Sequence, residues 1–145
     1  MTDYIARRDL RSPAHPHTID DVHQLLDGLW ADVGFVPQLD QMTFATAVIE
    51  AVTNVIQHAK PERGASLEIG VKLTVTELRL RAKISEYNAR PHGTISSPAL
   101  PGTDAESGRG LALIQALVST VTVERRGDSN VWILIKDSVS TNQDS

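Results

Sequence analysis

The chain has 145 residues, a formal net charge of −4 and a sequence pI near 5.7. This length suits one domain, and a composition of 41% apolar and 22% charged residues is ordinary for a globular protein. Because cysteine is absent, disulfides, thiolate metal sites and a cysteine nucleophile are excluded. The acidic balance disfavours nucleic-acid binding, and no segment approaches the roughly 20 apolar residues of a membrane helix. We therefore expect a single cytoplasmic domain over residues 1–145, with no direct nucleic-acid or membrane partner.

The first half of the chain predicts one strand and two helices. Residues Tyr4 to Leu10 predict a short edge strand, which the following prolines interrupt. Apolar residues then recur at helical spacing over Thr18 to Val33, with Thr18 as the expected N-cap. A second, longer helical pattern covers Pro37 to Ala59.

The second half predicts two hairpins separated by a loop and a helix. Apolar and polar residues alternate over 65–75 and 78–85, the two-residue period of paired strands. Residues 88–107 are rich in Pro, Gly and Ser, and we interpret them as a lid loop. A short helix over Arg109 to Val118 precedes a hairpin around Gly127-Asp128, and residues 138–145 form a polar tail. This order predicts an α+β fold with helices on one face of a largely antiparallel sheet.

A row of polar residues lies on the second predicted helix. Glu50, Asn54 and His58 are four residues apart, so they project from nearly the same face. The row borders the apolar stripe, where a carboxylate and an amide need partners such as a hydrated cation. The alternative is a solvated face of the kind that any surface helix presents.

A glycine-rich segment precedes the third predicted helix. Gly108 and Gly110 permit close backbone approach, and the free N–H groups at a helix start favour an anion such as phosphate. An ordinary loop-to-helix turn is the alternative.

Both segments resemble motifs of one superfamily. Residues 50–59, EAVTNVIQHA, resemble the N-box of the GHKL (histidine-kinase-like) ATPases in the form found in bacterial anti-sigma-factor serine-protein kinases. Residues 108–111, GRGL, resemble the second glycine box of that superfamily. The resemblance extends over roughly Thr18 to Ile135. It implies the Bergerat ATP-binding fold, a two-layer α/β sandwich with a mixed, mostly antiparallel sheet.

The resemblance also implies a site for ATP and Mg²⁺. Asn54 would ligate Mg²⁺, and Glu50 would orient or deprotonate the attacking hydroxyl group or water. The remaining residues implied to bind the cofactor are His58, Glu86, Asn88, Gly108, Arg109, Gly110 and Leu111. We expect Glu50, Asn54, Glu86 and Gly110 to converge on one pocket.

One stretch departs from the family pattern. Members carry an Asp-x-Gly-x-Gly motif whose Asp accepts a hydrogen bond from the adenine amino group, whereas residues 86–90 are EYNAR. Glu86 is one methylene longer than Asp, and Asn88 replaces a glycine, although Asn tolerates positive φ better than most residues. The alternative for Glu86 is an exposed charge at a strand end.

Two functions of different classes follow from these observations. The first is an ATP-dependent serine-protein kinase that phosphorylates a small anti-sigma-factor antagonist and sequesters a sigma factor, with a homodimer implied by the resemblance. The second is a catalytically silent module that keeps the fold and regulates by protein contact, as the altered Glu86–Asn88 stretch would allow. A detached sensor-kinase ATPase domain is disfavoured because no phospho-acceptor helix fits before Thr18.

Other residues carry weaker signals. His15, His17 and His23 are interpreted as solvated residues, because no carboxylate cluster accompanies them. Trp30 and Trp132 lie within apolar patterns and are expected in the core.

Overall fold

The computed structural model of the chain describes residues 5–91, the backbone of residues 105–109 and all of residues 110–137. Within these described residues, three helices and five strands follow one another in the order that the sequence predicts. Their bounds are β1 Ala6–Pro13, α1 His17–Asp32, α2 Gln38–His58, β2 Glu68–Val75, β3 Arg79–Tyr87, α3 Ala105–Leu117, β4 Thr120–Arg126 and β5 Ser129–Asp137.

The strands form one sheet in the order β1-β2-β3-β5-β4. Each neighbouring pair is antiparallel. These five strands therefore do not include the parallel pair that the expected mixed sheet would contain. One row of facing residues crosses the whole sheet: Leu10, Val71, Ile84, Trp132 and Val123. The predicted α+β fold is confirmed.

Side chains alternate between the two faces along each strand, so this row and the residues two positions before and after it lie on the helix-covered face of the sheet. There they meet the apolar stripes of the helices, and Phe44 of α2 is fully buried in the resulting core. The Phe44 ring lies edge-to-face against Trp30 of α1, with ring centroids 6.2 Å apart. Helix α3 packs alongside α2, which places the glycine-rich segment beside the polar row.

The start of the chain differs from the sequence prediction at two points. Strand β1 extends to Pro13, which faces Glu68 at the end of an edge strand, where a missing backbone N–H is tolerated. Helix α1 begins at His17, so Thr18 is not its N-cap. The Thr18 hydroxyl instead donates to the Pro13 carbonyl oxygen at 2.8 Å, and the buried side chain ties α1 to β1.

Helix α3 also begins earlier than predicted, at Ala105 and not at Arg109. Gly108 and Gly110 therefore lie within its first two turns and not in a turn that precedes it. Each interior glycine costs about 1 kcal/mol in a helix, but buried Ile114 anchors α3 in the core. Residues 92–104, most of the predicted lid, and the predicted tail 138–145 lie outside the described residues.

Both predicted hairpins are present, although β2 is shorter than predicted and begins at Glu68. Strand β3 continues past Ser85 to Tyr87 and faces β2 along its length. Gly127, at φ +61°, forms the turn between β4 and β5, a conformation that L side chains rarely adopt. No helix within residues 5–91 and 105–137 has the length and apolar character needed to cross a membrane.

Candidate functional site

The polar row of α2 lines a cleft between α2 and α3. Val48, Val52 and Val55 on the opposite stripe are buried in the core, which leaves the row half-exposed. The cleft has a volume of about 310 Å³. Its lining residues are Glu50, Thr53, Asn54, Gln57, His58, Gly110 and Leu113.

Gly110 allows the backbone of α3 to approach this row. A Cβ atom built on Gly110 would lie 2.8 Å from Asn54 Nδ2 and 3.8 Å from Glu50 Oε1. The first distance is shorter than any that real Cβ atoms adopt. Glycine is therefore required for the two helices to meet at this point with Asn54 in its observed position.

The donor set of the cleft suits a hard cation and an attached phosphate chain. An amide oxygen, supplied here by Asn54, is a ligand that Mg²⁺ accepts, and Mg²⁺ completes its shell with water and substrate phosphates. The cleft beside Asn54 and Glu50, about 310 Å³ in volume, leaves room for the phosphates. These residues fit the phosphate end of ATP·Mg²⁺.

Glu86 lies on the helix-covered face of the sheet but is not among the residues that line the cleft. Its side chain is fully buried. The Oε1 atom accepts a hydrogen bond from Asn130 Nδ2 at 2.9 Å, and Oε2 accepts one from Trp132 Nε1 at 2.6 Å. The alternative of an exposed charge at a strand end is therefore wrong.

Asn130 extends this network to the residues that follow β3. Its Nδ2 also donates to the Arg90 carbonyl oxygen at 2.8 Å, while its Oδ1 accepts from Arg125 Nη1 at 3.2 Å. The same Arg125 nitrogen donates to the Ala89 carbonyl oxygen at 2.6 Å. The β4–β5 hairpin thus holds the chain in place after Glu86.

Asn88 adopts the left-handed conformation that its replacement of a glycine predicts, with φ at +62°. Its side chain donates to the Ser66 carbonyl oxygen at 3.1 Å, and its own carbonyl oxygen accepts from the Glu62 backbone N–H at 2.8 Å. Asn88 is a turn residue here and is not among those that line the cleft.

The other residues of the second glycine box have different positions. Leu111 is half-buried and packs against the core. The backbone of Gly108 is helical. The side chain of Arg109 lies outside the described part of the chain.

Sequence reasoning missed several residues of this region. Thr53 and Gln57 share the helix face of Glu50, Asn54 and His58, so the three- and four-residue spacing would have identified them. The two partners of Glu86 carried no such signal. Asn130 and Trp132 meet Glu86 only because β5 pairs with β3. Trp132 is buried as expected, with the additional role of a hydrogen-bond donor.

Comparisons with known proteins agree with this architecture. The family model described as "Histidine kinase-like ATPase domain" matches residues 13–136. The chain is 28% identical over 130 residues to the serine-protein kinase RsbW of Bacillus licheniformis, which covers 84% of this chain and 78% of that protein.

Solved structures with the same fold include the RsbU and RsbW domains of Rv1364c from Mycobacterium tuberculosis. The TM-score is 0.59 at 17% identity, covering 90% of this chain and 32% of that chain, so this chain spans about a third of that protein's length. The catalytic domain of the histidine kinase ThkA matches with a TM-score of 0.53 at 12% identity, covering 90% of this chain and 96% of that chain. Because the family model covers most of the sequence, the chain belongs to the histidine kinase-like ATPase domain family.

Proposed function

We propose that the chain is an ATP·Mg²⁺-dependent serine-protein kinase that phosphorylates a small anti-sigma-factor antagonist and sequesters a sigma factor, acting as a homodimer. The observation that carries the proposal is the cleft in which Glu50 and Asn54 of α2 meet Gly110 of α3. The name of the serine-protein kinase relative supports the same reaction class.

The proposal assigns roles to Asn54, Glu50 and the segment from Gly108 to Leu111. The amide oxygen of Asn54 holds Mg²⁺, and the segment from Gly108 to Leu111 binds the phosphates. Bound Mg²⁺ supplies electrostatic stabilisation of the phosphoryl oxygens. The carboxylate of Glu50 orients the serine hydroxyl of the substrate and accepts its proton.

A second candidate function is a binding module with weak or absent nucleotide binding. The observation in its favour is the state of Glu86, whose two carboxylate oxygens each accept a hydrogen bond from β5 in a fully buried position. An adenine amino group that donates to this carboxylate would have to enter the buried position and compete with the two hydrogen bonds from β5.

Isothermal titration with ATP and MgCl₂ separates the two functions. We expect the wild type to bind, and Glu50→Gln to keep this affinity because a general base does not hold the nucleotide. Transfer of labelled γ-phosphate to proteins co-purified from the native host should fall roughly a hundredfold or more in Glu50→Gln.

Asn54→Ala should behave differently, because loss of a metal ligand weakens binding and transfer together. Thr46→Ala is the matched control on the same helix: Thr46 is not among the residues that line the cleft, and its hydroxyl donates to the Met42 carbonyl oxygen. If the wild type binds no ATP·Mg²⁺ yet captures its partner proteins, the kinase proposal is wrong and the binding module stands.

A further inference from the structure

A second concave site lies on the sheet face that the helices leave uncovered. Positions alternate along each strand, so residues next to the buried row face away from the helices. There a groove of about 290 Å³ crosses β1, β2 and β3, with Gly70 among its lining residues. The cleft between α2 and α3 lies on the opposite face, so this groove belongs to a different site.

In the groove, the Arg11 guanidinium lies over the Tyr87 ring, and the ring lies beside Gly70. A Cβ atom on Gly70 would lie 2.8 Å from Tyr87 Cε2, so glycine lets the Tyr87 ring lie against the backbone of β2. The Arg11 guanidinium lies over the ring, with Cζ 3.7 Å from the ring centroid. Arg11 Nε also donates to Glu68 Oε1 at 2.6 Å, which further fixes the guanidinium.

Two lysines in the groove face each other directly. Lys72 of β2 and Lys83 of β3 are opposite partners in the antiparallel register. Like charges at such positions destabilise a sheet. Within residues 5–91 and 110–137, neither ammonium group has a carboxylate partner within 4.0 Å. Asp9 of β1, which faces Lys72 in the register, pairs instead with Arg7 at 3.3 Å.

The electrostatic surroundings of Lys83 are positive. Burial lowers the pKa of the Lys83 ammonium below its ordinary value. The charges of Arg126, Lys72 and Arg81 lower this pKa further, whereas Glu124 opposes them. A bound anion would relieve this repulsion, so the face is poised to receive negative charge although the chain as a whole is acidic.

We propose that this groove is the docking site for an acidic segment of a partner polypeptide, whose carboxylates pair with Lys72 and Lys83. Charge complementarity commits the site to such an occupant. A second copy of the chain would oppose the same lysines across a two-fold axis, which like charge disfavours. The extent of the groove across three strands suits a peptide better than a single phosphate ion.

Single-stranded nucleic acid is disfavoured by the contact between Arg11 and Tyr87. Such ligands stack their bases on free aromatic faces, but the Arg11 guanidinium already lies over the Tyr87 ring.

The test uses the full chain and a fluorescein-labelled peptide of glutamates about ten residues long, with binding followed by fluorescence anisotropy. The double substitution Lys72→Glu and Lys83→Glu should weaken binding about tenfold or more, because attraction becomes repulsion at two positions. The matched control is Lys60→Glu with Arg63→Glu, the same charge change at exposed residues outside the groove, and it should bind almost as the wild type does. Salt at 1 M, where the Debye length is about 3 Å, should abolish most of the binding.

Two further measurements separate docking from a structural role. Amide shifts on peptide addition should concentrate at Gly70, Lys83 and Tyr87 and leave Asn54 and Gly110 unchanged. The double variant Lys72→Gln with Lys83→Gln should lose peptide binding yet melt at the same or a higher temperature, since it removes a like-charge pair. This variant also tests the proposal if the glutamate variant fails to fold. The proposal is overturned if the groove and control variants lose affinity equally, if labelled oligothymidylate of equal length binds more tightly, or if the double glutamine variant converts a dimer into a monomer.

Discussion

Gly110 occupies a helix position where alanine would ordinarily be more stable by about 1 kcal/mol. Its hydrogen instead leaves space for the Asn54 amide, which a Cβ atom would approach to 2.8 Å. Since that amide is the flexible end of a side chain, Gly110→Ala should displace it without unfolding the helix. We expect unchanged or higher stability in urea together with at least a tenfold loss of ATP·Mg²⁺ affinity by calorimetry, on the order of 1.4 kcal/mol.

Gly34→Ala is the control for this substitution, because no heavy atom lies within 4 Å of the Cβ position at Gly34. Undiminished nucleotide affinity in Gly110→Ala would show that the observed position of Asn54 is not the binding position.

Glu86 is held in a network that an amide cannot replace. Asn130 donates through Nδ2 to Arg90 and accepts through Oδ1 from Arg125, so its own amide is fixed in orientation. Glu86→Gln would therefore set its NH₂ group against the N–H donor of either Asn130 or Trp132. An unsatisfied buried donor costs about 1–3 kcal/mol, and we expect that loss in urea denaturation at neutral pH.

The double variant Glu86→Gln with Trp132→Phe tests the cause of this loss. Removing the indole N–H relieves one of the donor conflicts, so the two effects should be less than additive. Strict additivity would mean that the hydrogen bond between Trp132 and position 86 does not contribute as described.

At the scale of the elements, β1 is tied to α1 by an exposed bidentate pair. Arg8 Nε and Nη2 donate to the two Asp32 oxygens at 2.9 and 3.3 Å, and this hydrogen bonding lowers the pKa of Asp32. Gly28 leaves room for the guanidinium, since a Cβ atom there would lie 2.7 Å from Arg8 Nη1. Gly28→Ala should disrupt the pair while gaining about 1 kcal/mol of helix propensity.

Because exposed pairs contribute little, we expect Gly28→Ala to equal or exceed the wild type in stability at pH 7. The sign of its pH dependence follows from Asp32. A carboxyl whose folded pKa is lowered contributes stability above its ordinary pKa and loses it as pH falls through the folded pKa. The relative advantage of Gly28→Ala should therefore grow in acid, measured by urea denaturation at pH 7 and pH 3; a shrinking advantage would contradict this account.

Periodicity predicted the type and order of the described elements, because their apolar residues recur at helical or strand spacing and pack in the core. It failed where another interaction overrides local preference. Gly108 and Gly110 read as a loop, yet α3 runs through them because it packs on α2. Thr18 is of a residue type favoured at N-caps, but its hydroxyl donates to the Pro13 carbonyl oxygen of the neighbouring strand.

At the scale of the whole molecule, the two sites differ in how far sequence predicts them. The spacing of Glu50, Asn54 and His58 places them on one face without any structure, whereas their meeting with Gly110 was implied only by the family resemblance. The basic groove had no sequence signal at all. Its cations come from three strands, and only the register sets Lys72 opposite Lys83 in an otherwise acidic chain.

Nucleotide binding should also be visible in the stability of the whole domain. A ligand that binds only the folded state at a hundred times its Kd adds about 2.7 kcal/mol. For a domain near this size each kcal/mol raises Tm by roughly 2–4 °C, so saturating ATP·Mg²⁺ should raise the Tm by roughly 5–11 °C.

Asn54→Ala, and the wild type with ATP and EDTA, are the controls in this experiment and should show little of the shift. The glutamate peptide should raise Tm by an amount that adds to that of ATP·Mg²⁺, because the groove and the cleft lie on opposite faces of the sheet and share no lining residue. A shift with the peptide but none with ATP·Mg²⁺ would identify a silent binding module. A combined shift close to the larger of the two single shifts would mean that both ligands compete for one site.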